Sequence, residues 1–407
     1  MRVMKTTLSA GLLAAALLML TPQSGAAQDG ALDQWAGAWG YATSPATDAV
    51  KGELPPGVYR FRLRMSQSGD ALRLTFTNPT GARPLKIASV VVAPVAVGTG
   101  FGLDATAITP VVFRGAAATT IAGGDALISD PVVLPVRSGQ DLIVSVAVSD
   151  VSTTVGGNAG FPLAFQAAAD DPASPGEGGL EAQKLRPFVT LAAVRNPSAN
   201  CTVVAFGDSI TEGARGTRQD WRGWPGVLAE RLIAQAPERH CGVVNMGISG
   251  NRLLRDGRGT AGVARFERDV ASVPNATHLI VLEGINDIWR AGAEGEGPLT
   301  VEQITDGYRR LIAAGHDRGL RVIGGTLTPA MGSRHISREM EGLRQGVNRW
   351  IRTSGAFDAV IDFEAAVRDT ATPPQIRAQY DSGDKLHPGD GGYQAMGRAV
   401  PLALVQP

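Results

Sequence analysis

Between residues 32 and 150, apolar side chains recur with a period of two rather than 3.6. Tyr59-Arg60-Phe61-Arg62-Leu63-Arg64-Met65 alternates strictly, which sets apolar groups on one face of a strand and arginines on the other. The pattern returns in Ala71-Leu72-Arg73-Leu74-Thr75-Phe76 after a Ser68-Gly69-Asp70 turn, and the pair predicts a β-hairpin. Further β-like runs cover residues 87–97, 110–113, 126–136 and 141–148, punctuated by Gly, Pro, Asp and Asn. Short strands at regular spacing predict an all-β sandwich, jelly-roll-like, over residues 30–185. The arginine row is expected on a solvated sheet face, with a grip on an anionic ligand as the alternative. Residues 167–181, rich in Asp, Pro, Gly and Ala, read as a loop or linker, and residues 188–194 as a last strand before a second domain.

From Cys201 onward the pattern changes to short apolar runs separated by helical periodicity. Strands are expected at 203–206, 243–245, 279–282, 322–326 and 359–362, with helices near 225–235, 261–272, 301–318 and 338–353. Such alternation predicts βαβ units and a parallel sheet covered on both faces, over residues 198–407. Right-handed crossovers bring the loops that follow the strands to one edge. Polar motifs after several strands can therefore converge.

Composition narrows the function classes. Lys plus Arg and Asp plus Glu are 38 each, so no global field favours nucleic acid or an anionic membrane. Arg2 and Lys5 precede an apolar run over 8–20 that ends in small residues at 24–27, the pattern of a secretory signal peptide over residues 1–27. That run is short for a bilayer, so the mature protein is expected to be secreted or periplasmic, without stable membrane insertion. Export bears on the two cysteines, Cys201 and Cys241, each at the start of an expected strand. If those strands are parallel neighbours, both lie at the sheet edge away from the chemistry, and a Cys201–Cys241 disulfide is predicted. Two free buried thiols are the alternative.

The chemistry begins at Val203-Val204-Ala205-Phe206-Gly207-Asp208-Ser209, where an apolar strand stops at a Gly-Asp-Ser turn. Open α/β sheets present their reactive groups at the carboxyl ends of strands, so Ser209 is a candidate nucleophile. A serine hydroxyl needs a base, and Asp384-Lys385-Leu386-His387-Pro388 supplies a histidine with an acid three residues away. Gly207-Asp208-Ser209, Gly247-Ile248-Ser249-Gly250-Asn251, Gly284-Ile285-Asn286-Asp287 and the Asp384/His387 pair occur in that order. Together they resemble the SGNH/GDSL hydrolases from about residue 200 to the end. Phrases such as Ile248-Ser249-Gly250-Asn251-Arg252-Leu253-Leu254 are similar to the bacterial branch with an extra N-terminal β-domain, which includes XynE-like arylesterases and acylhydrolases found near xylan-degrading enzymes.

The resemblance implies a three-layer, flavodoxin-like hydrolase domain without a cofactor. It implies Ser209 as nucleophile, His387 as general base and then acid, and Asp384 as the group that orients the imidazole. The Ser209 and Gly250 backbone N–H groups and the Asn286 side-chain amide would form the oxyanion hole. Asp208 is read as orienting the serine loop, and Ser249, a rival serine beside a glycine, as a supporting residue. Trp221, Trp224 and Trp289 follow motifs and can stack on a ring, although core packing explains each equally well. Arg252 and Arg255 follow the oxyanion glycine and can meet a polar substrate, with a structural ion pair as the default; Arg252 and Trp289 are the candidate substrate contacts. The remaining histidines, His240, His278, His316 and His335, have no partner at catalytic spacing and form no ligand set, so no metal is expected. The expected activity is hydrolysis of acetyl or other short acyl esters, on a small ester or an acylated polysaccharide of the acetylxylan type. The alternatives are an arylesterase or lipase with the same site, and a non-catalytic carbohydrate-binding protein acting through its β-domain.

Overall fold

In the Asp33–Pro407 unit, two hydrophobic cores lie side by side, one between antiparallel sheets and one around a parallel sheet. The computed structural model describes residues 1, 35–43, 51–79, 83–155, 161–167, 171–185, 188–198, 201–237, 239–291 and 297–406. The predicted signal peptide lies, beyond Met1, outside the described residues.

The N-terminal region holds a four-stranded sheet in the order Trp35–Gly40, Val189–Arg195, Ala71–Thr77, Ala126–Ile128. Facing it is a larger sheet in the order Glu181–Leu185, Phe161–Ala167, Gly57–Arg64, Asp141–Val148, Leu85–Pro94, Thr109–Val111, with Thr119–Ile121 also on Leu85–Pro94. The period-two pattern explains the pairing of faces. Tyr59, Phe61, Leu63, Val144 and Val146 from one sheet meet Leu72, Leu74, Phe76 and Val194 from the other in a single buried cluster.

Three expectations need correction here. Residues 57–64 and 71–77 do not form a hairpin but belong to opposite sheets. Each has one apolar face, and placing those faces against each other removes both from water, which pairing them edge to edge would not. Residues 126–136 hold a strand only at Ala126–Ile128, followed by isolated bridges at Val132 and Val136. Residues 171–180 are a loop, as expected, but not a linker between domains, because Glu181–Leu185 pairs back onto Phe161–Ala167.

The arginine face is only partly solvated. Arg60 is 2% exposed and donates to the carbonyls of Phe101 (2.9 Å), Gly176 (2.7 Å) and Ser174. Arg62 and Arg64 both pair with Asp141, and Arg64 also reaches Asp220 at 3.1 Å. The loops around residues 101 and 174–176 cover this face of the larger sheet and lend it their carbonyls.

The C-terminal region is the expected parallel sheet, in the order Gly242–Gly247, Thr202–Gly207, Ala276–Leu282, Arg321–Gly325, Ala359–Ile361. With the first strand second in order, this is the flavodoxin-like arrangement, whose ligands sit where the strand order reverses. Apolar strands such as Val203-Val204-Ala205-Phe206 are buried on both faces because helices cover them. Gly223–Gln235 packs on Asp390–Ala399, and Val301–Asp317 on Arg338–Thr353. Thr300 and Gln303 close a reciprocal capping box on Val301–Asp317, which buries Ile304, Tyr308 and Leu311 at helical spacing. The helix expected near 261–272 is instead a 3-10 turn, Gly262–Ala264, followed by a π-helical turn, Glu267–Ala271. Arg265, just before the π-helical turn, and Asp269, within it, are both buried, and Asp269 N donates to Arg265 O at 2.9 Å.

The two regions are joined closely. The Trp35–Gly40 strand runs along the Gly242–Gly247 edge of the parallel sheet, with a parallel bridge from Tyr41 to Asn245. Gly37 N donates to Thr202 Oγ1 at 2.9 Å, and Ser66 Oγ both accepts from Val243 N (2.8 Å) and donates to Val243 O (3.0 Å). Contact is tight enough that a Cβ on Gly242 would lie 2.0 Å from the Gly37 carbonyl oxygen. Cys201 and Cys241, which immediately precede the neighbouring strands Thr202–Gly207 and Gly242–Gly247, are joined by a disulfide at the opposite end from Ser209.

Candidate active site

Thr202–Gly207 ends in Asp208, which caps the short buried helix Ser209–Glu212 by accepting from Ile210 N at 2.8 Å. The cap holds Ser209 at the first helical position, where a backbone N–H has no partner within the helix and the positive end of the backbone dipoles gathers. Ser209 Oγ lies 2.9 Å from His387 Nε2, and His387 Nδ1 lies 2.8 Å from Asp384 Oδ2. An ionised carboxylate only accepts, so Asp384 sets the imidazole proton on Nδ1 and leaves Nε2 to accept the Ser209 proton. Asp384 Oδ1 also accepts the backbone N–H groups of Leu386 (3.0 Å) and His387 (2.8 Å). Burial alone would raise the Asp384 pKa, but the His387 N–H and ring and the Leu386 N–H outweigh it and hold it at about 2. The carboxylate is therefore ionised throughout the physiological range.

Ser209, Ser249, Gly250, Asn286, Asp384 and His387 line one cavity of about 870 Å³. Gly250 has φ +77°, and a Cβ there would lie 2.5 Å from Arg258 Cδ, so the loop needs glycine on both counts. Asn286 is 6% exposed; its Nδ2 donates to Asn251 O at 2.9 Å, which leaves its second N–H for the cavity. A nucleophile with its base and a set of N–H donors thus share one space, the arrangement that acyl transfer requires.

Beneath these loops is a buried polar cluster. Arg265, 1% exposed, lies 3.7 Å from the centre of the Phe206 ring. It donates to Gly207 O (2.9 Å), Met246 O (2.8 Å) and Asn251 Oδ1 (2.8 Å), and it pairs with Asp269 (2.9 Å) and Glu283 (3.3 Å). One guanidinium thereby ties together two strand ends and the Asn251 turn that holds Asn286. The carboxyls outnumber it. Burial pushes Asp208 up to about 7, against the Ile210 N–H and helped by the Asp287 charge. Burial likewise lifts Asp287 to about 6 against the N–H groups of Leu253 and Leu254, and carries Glu283 well above the usual range. Glu212, fully buried, accepts the Tyr41 hydroxyl from the N-terminal region and the Ser249 N–H from the oxyanion loop.

Of the two residues expected to meet a substrate, one lines the cavity and one does not. Trp289 does line the cavity, whereas Arg252 and Arg255 line a separate groove with Asp287 and Arg290. Trp221 and Trp224 are buried in the core. The cavity instead holds Arg215, Arg258, Arg334 and His335, and the His335 ring packs on Trp289 at 4.3 Å. Of the remaining histidines, His240 and His278 are buried and His316 pairs with Asp358 at 3.0 Å. Arg265 has no motif around it, Glu212 is missed by the sequence reading although it follows Ser209 by three residues, and His335 is missed for want of a partner at catalytic spacing. The only available sign of Arg265 was Asp269 at i,i+4 in a stretch read as an ordinary helix.

Residues 205–395 match the model of the GDSL-like Lipase/Acylhydrolase family. No curated protein matches the chain. Among solved structures, a GDSL-like lipase from Bacteroides thetaiotaomicron is 19% identical, covering 50% of this chain and 87% of its own, with a TM-score of 0.39. LAE5, described as an alpha/beta hydrolase from the metagenome of Lake Arreo, Spain, is 25% identical over 51% of this chain and 96% of its own, at 0.40. A variant of Axe2, an acetyl xylan esterase from Geobacillus stearothermophilus, is 22% identical over 50% and 93%, at 0.39. With its four motifs converging on one cavity, the segment 205–395 is a hydrolase domain of the GDSL-like lipase/acylhydrolase family.

Proposed function

We propose that this chain is an exported serine esterase that removes acetyl or other short acyl groups, with an acylated polysaccharide of the acetylxylan type as its substrate. The observation that supports it is the unbroken Ser209–His387–Asp384 chain opening onto the same cavity as Gly250 and Asn286. Ser209 Oγ attacks the ester carbonyl as His387 Nε2 takes its proton, and Asp384 stabilises the imidazolium. Negative charge on the carbonyl oxygen is met by the N–H groups of Ser209 and Gly250 and by the Asn286 amide. Collapse breaks the bond to the alcohol, which leaves with the Nε2 proton, and the acyl group stays on Ser209. Water then enters, loses a proton to His387 and adds to the acyl carbon. Collapse returns that proton to Ser209 and frees the acid.

Ala214, Trp289, Leu386 and the carbon stems of the polar residues give the cavity at least as much apolar as polar surface, so the lining does not set the acyl length, and the ester series below decides it. The Trp289–His335 wall suits a sugar ring, and it also favours the second reading, an arylesterase with the same triad. Rates on a chain-length series of p-nitrophenyl esters, set against acetate release from acetylated xylan, separate the two. Export is supported by the signal-like first 27 residues and by the Cys201–Cys241 disulfide, which suits an oxidising compartment. The N-terminal β region supports placement in the XynE-like branch.

Ser209→Ala is the direct test. Hydrolysis of p-nitrophenyl acetate is expected to fall on the order of 10⁴-fold or more, with unfolding unchanged. Turnover at the wild-type rate would remove Ser209 from the mechanism.

A further inference from the structure

Three arginines, Arg215, Arg258 and Arg334, line the cavity against one carboxylate, Asp384. Asp384 is committed to His387, and Arg215 is its ion-pair partner at 3.6 Å. Arg258 and Arg334 have no carboxylate partner among the described residues. Acyl transfer needs neither of them, because the triad and the N–H donors already carry the charges that develop. Two uncompensated guanidinium groups at the mouth of a reactive cavity raise the local concentration of anions and repel cations.

Their placement is specific. The Arg258 stem crosses Gly250, beside the oxyanion donors. Arg334 Nε lies 3.2 Å from His335 Nε2, and the His335 ring packs against Trp289. The His335 imidazole also feels the charges of His387 and Asp384. This wall and the His387 imidazole, which hands a proton to the departing alcohol, line the same cavity.

We propose that the cavity takes acyl esters of ring alcohols that carry a carboxylate. The ring lies against Trp289 and His335, Arg334 holds the carboxylate, and Arg258 adds its field from the Gly250 side. The proposal rests on the esterase reading above. Guanidinium and carboxylate match as a two-pronged, charge-assisted pair, which a neutral ring alcohol cannot supply. The carboxylate itself is unchanged by the reaction: water gives a hydroxyl to the acyl group and a proton to the ring alcohol. An O-acylated uronic acid and an acylated hydroxyaryl acid share this chemistry.

Acetate release by the full chain tests it with two matched pairs: an O-acetylated methyl glucuronide against its methyl ester, and 4-acetoxybenzoate against its methyl ester. In at least one pair the carboxylate form is expected to show a kcat/KM about 10-fold higher at low ionic strength, shrinking as salt rises to about 0.5 M. The pair that shows the preference identifies the ring as sugar or aryl. Arg334→Gln should bring the ratio within that pair towards one, mainly through KM, and Arg334→Lys should restore part of it. Arg258→Gln gives the same reading, more weakly, should the Arg334 variants not fold. Equal rates within both pairs, or a preference that survives Arg334→Gln and Arg258→Gln, would overturn the proposal. A wild-type protein inactive on all four esters and on p-nitrophenyl acetate would overturn the esterase reading and this proposal with it.

Discussion

Arg60 in the β-sandwich and Arg265 beneath the active-site loops are both buried, but their surroundings differ. Arg60 donates to three backbone carbonyls, and the loops that supply them cover an otherwise bare sheet face. Arg265 also binds carbonyls, yet it lies among Asp269, Glu283, Asp208 and Asp287, more acids than one guanidinium can neutralise. In the first region the terminal nitrogens of Arg60 are met by carbonyl dipoles, with its Nε left without a hydrogen-bond partner among the described residues, and the side chain holds the covering loops to the sheet. In the second, buried polarity is left in excess of acid, and the strain appears as raised carboxyl pKa values under the loops that do the chemistry. The two regions are nevertheless in contact, since Tyr41 of the first holds Glu212, and through it Ser249, in the second.

The largest expected effect concerns that excess of acid. Asp208 titrates at about 7 in the folded protein and at about 3.9 when unfolded, so its stabilising contribution is full below pH ~4 and is lost as pH rises towards 7. Asp208→Asn should therefore reduce the fall in unfolding free energy between about pH 4 and 7, measured by denaturant titration, by up to roughly 1.4 kcal/mol per pH unit. Asp287 and Glu283, shifted in the same direction, leave a residual slope. An unaltered slope in the variant would mean that burial does not raise the Asp208 pKa and that the contrast in acid excess between the two regions fails.

Next in size is the seam between the regions. Gly242→Ala forces a methyl group against the Gly37 carbonyl and should cost about 1–3 kcal/mol. Because the strands on either side share hydrogen bonds, loss of esterase activity and loss of tryptophan fluorescence are expected to coincide in one thermal transition. Two separate transitions would show that the sandwich and the hydrolase domain unfold independently.

The smallest effect is the finest test of contact between them. Tyr41→Phe removes one hydroxyl that donates to Glu212, worth about 1–1.5 kcal/mol, and should lower kcat about 5–10-fold with KM unchanged. An unchanged kcat in a stable Tyr41→Phe protein would reduce the N-terminal region to a passive support.

Much of the candidate site was legible because each motif is a short local segment. Gly207-Asp208-Ser209 and Gly284-Ile285-Asn286-Asp287 sit directly after apolar strands, and Asp384 and His387 share a single turn. The strand pattern likewise announced a β region and then a parallel sheet. It could not show that residues 57–64 and 71–77 face each other across a core, because period-two alternation is identical in a hairpin and in a sandwich. Nor could it place Arg258 rather than Arg252 at the cavity, since that depends on where a loop folds over Gly250. His335 lines the cavity packed on Trp289, a residue far from it in the chain.

The amino-acid order by itself determined the candidate reacting groups and the class of each sheet, because a short motif and the period of a strand are properties of neighbouring residues. The tertiary structure alone decided how the β region meets the parallel-sheet domain, which arginines line the cavity, and which acids have raised pKa values. Those outcomes depend on distances, burial and competing charges among groups as far apart in the chain as Tyr41 and Glu212, and no local pattern encodes them.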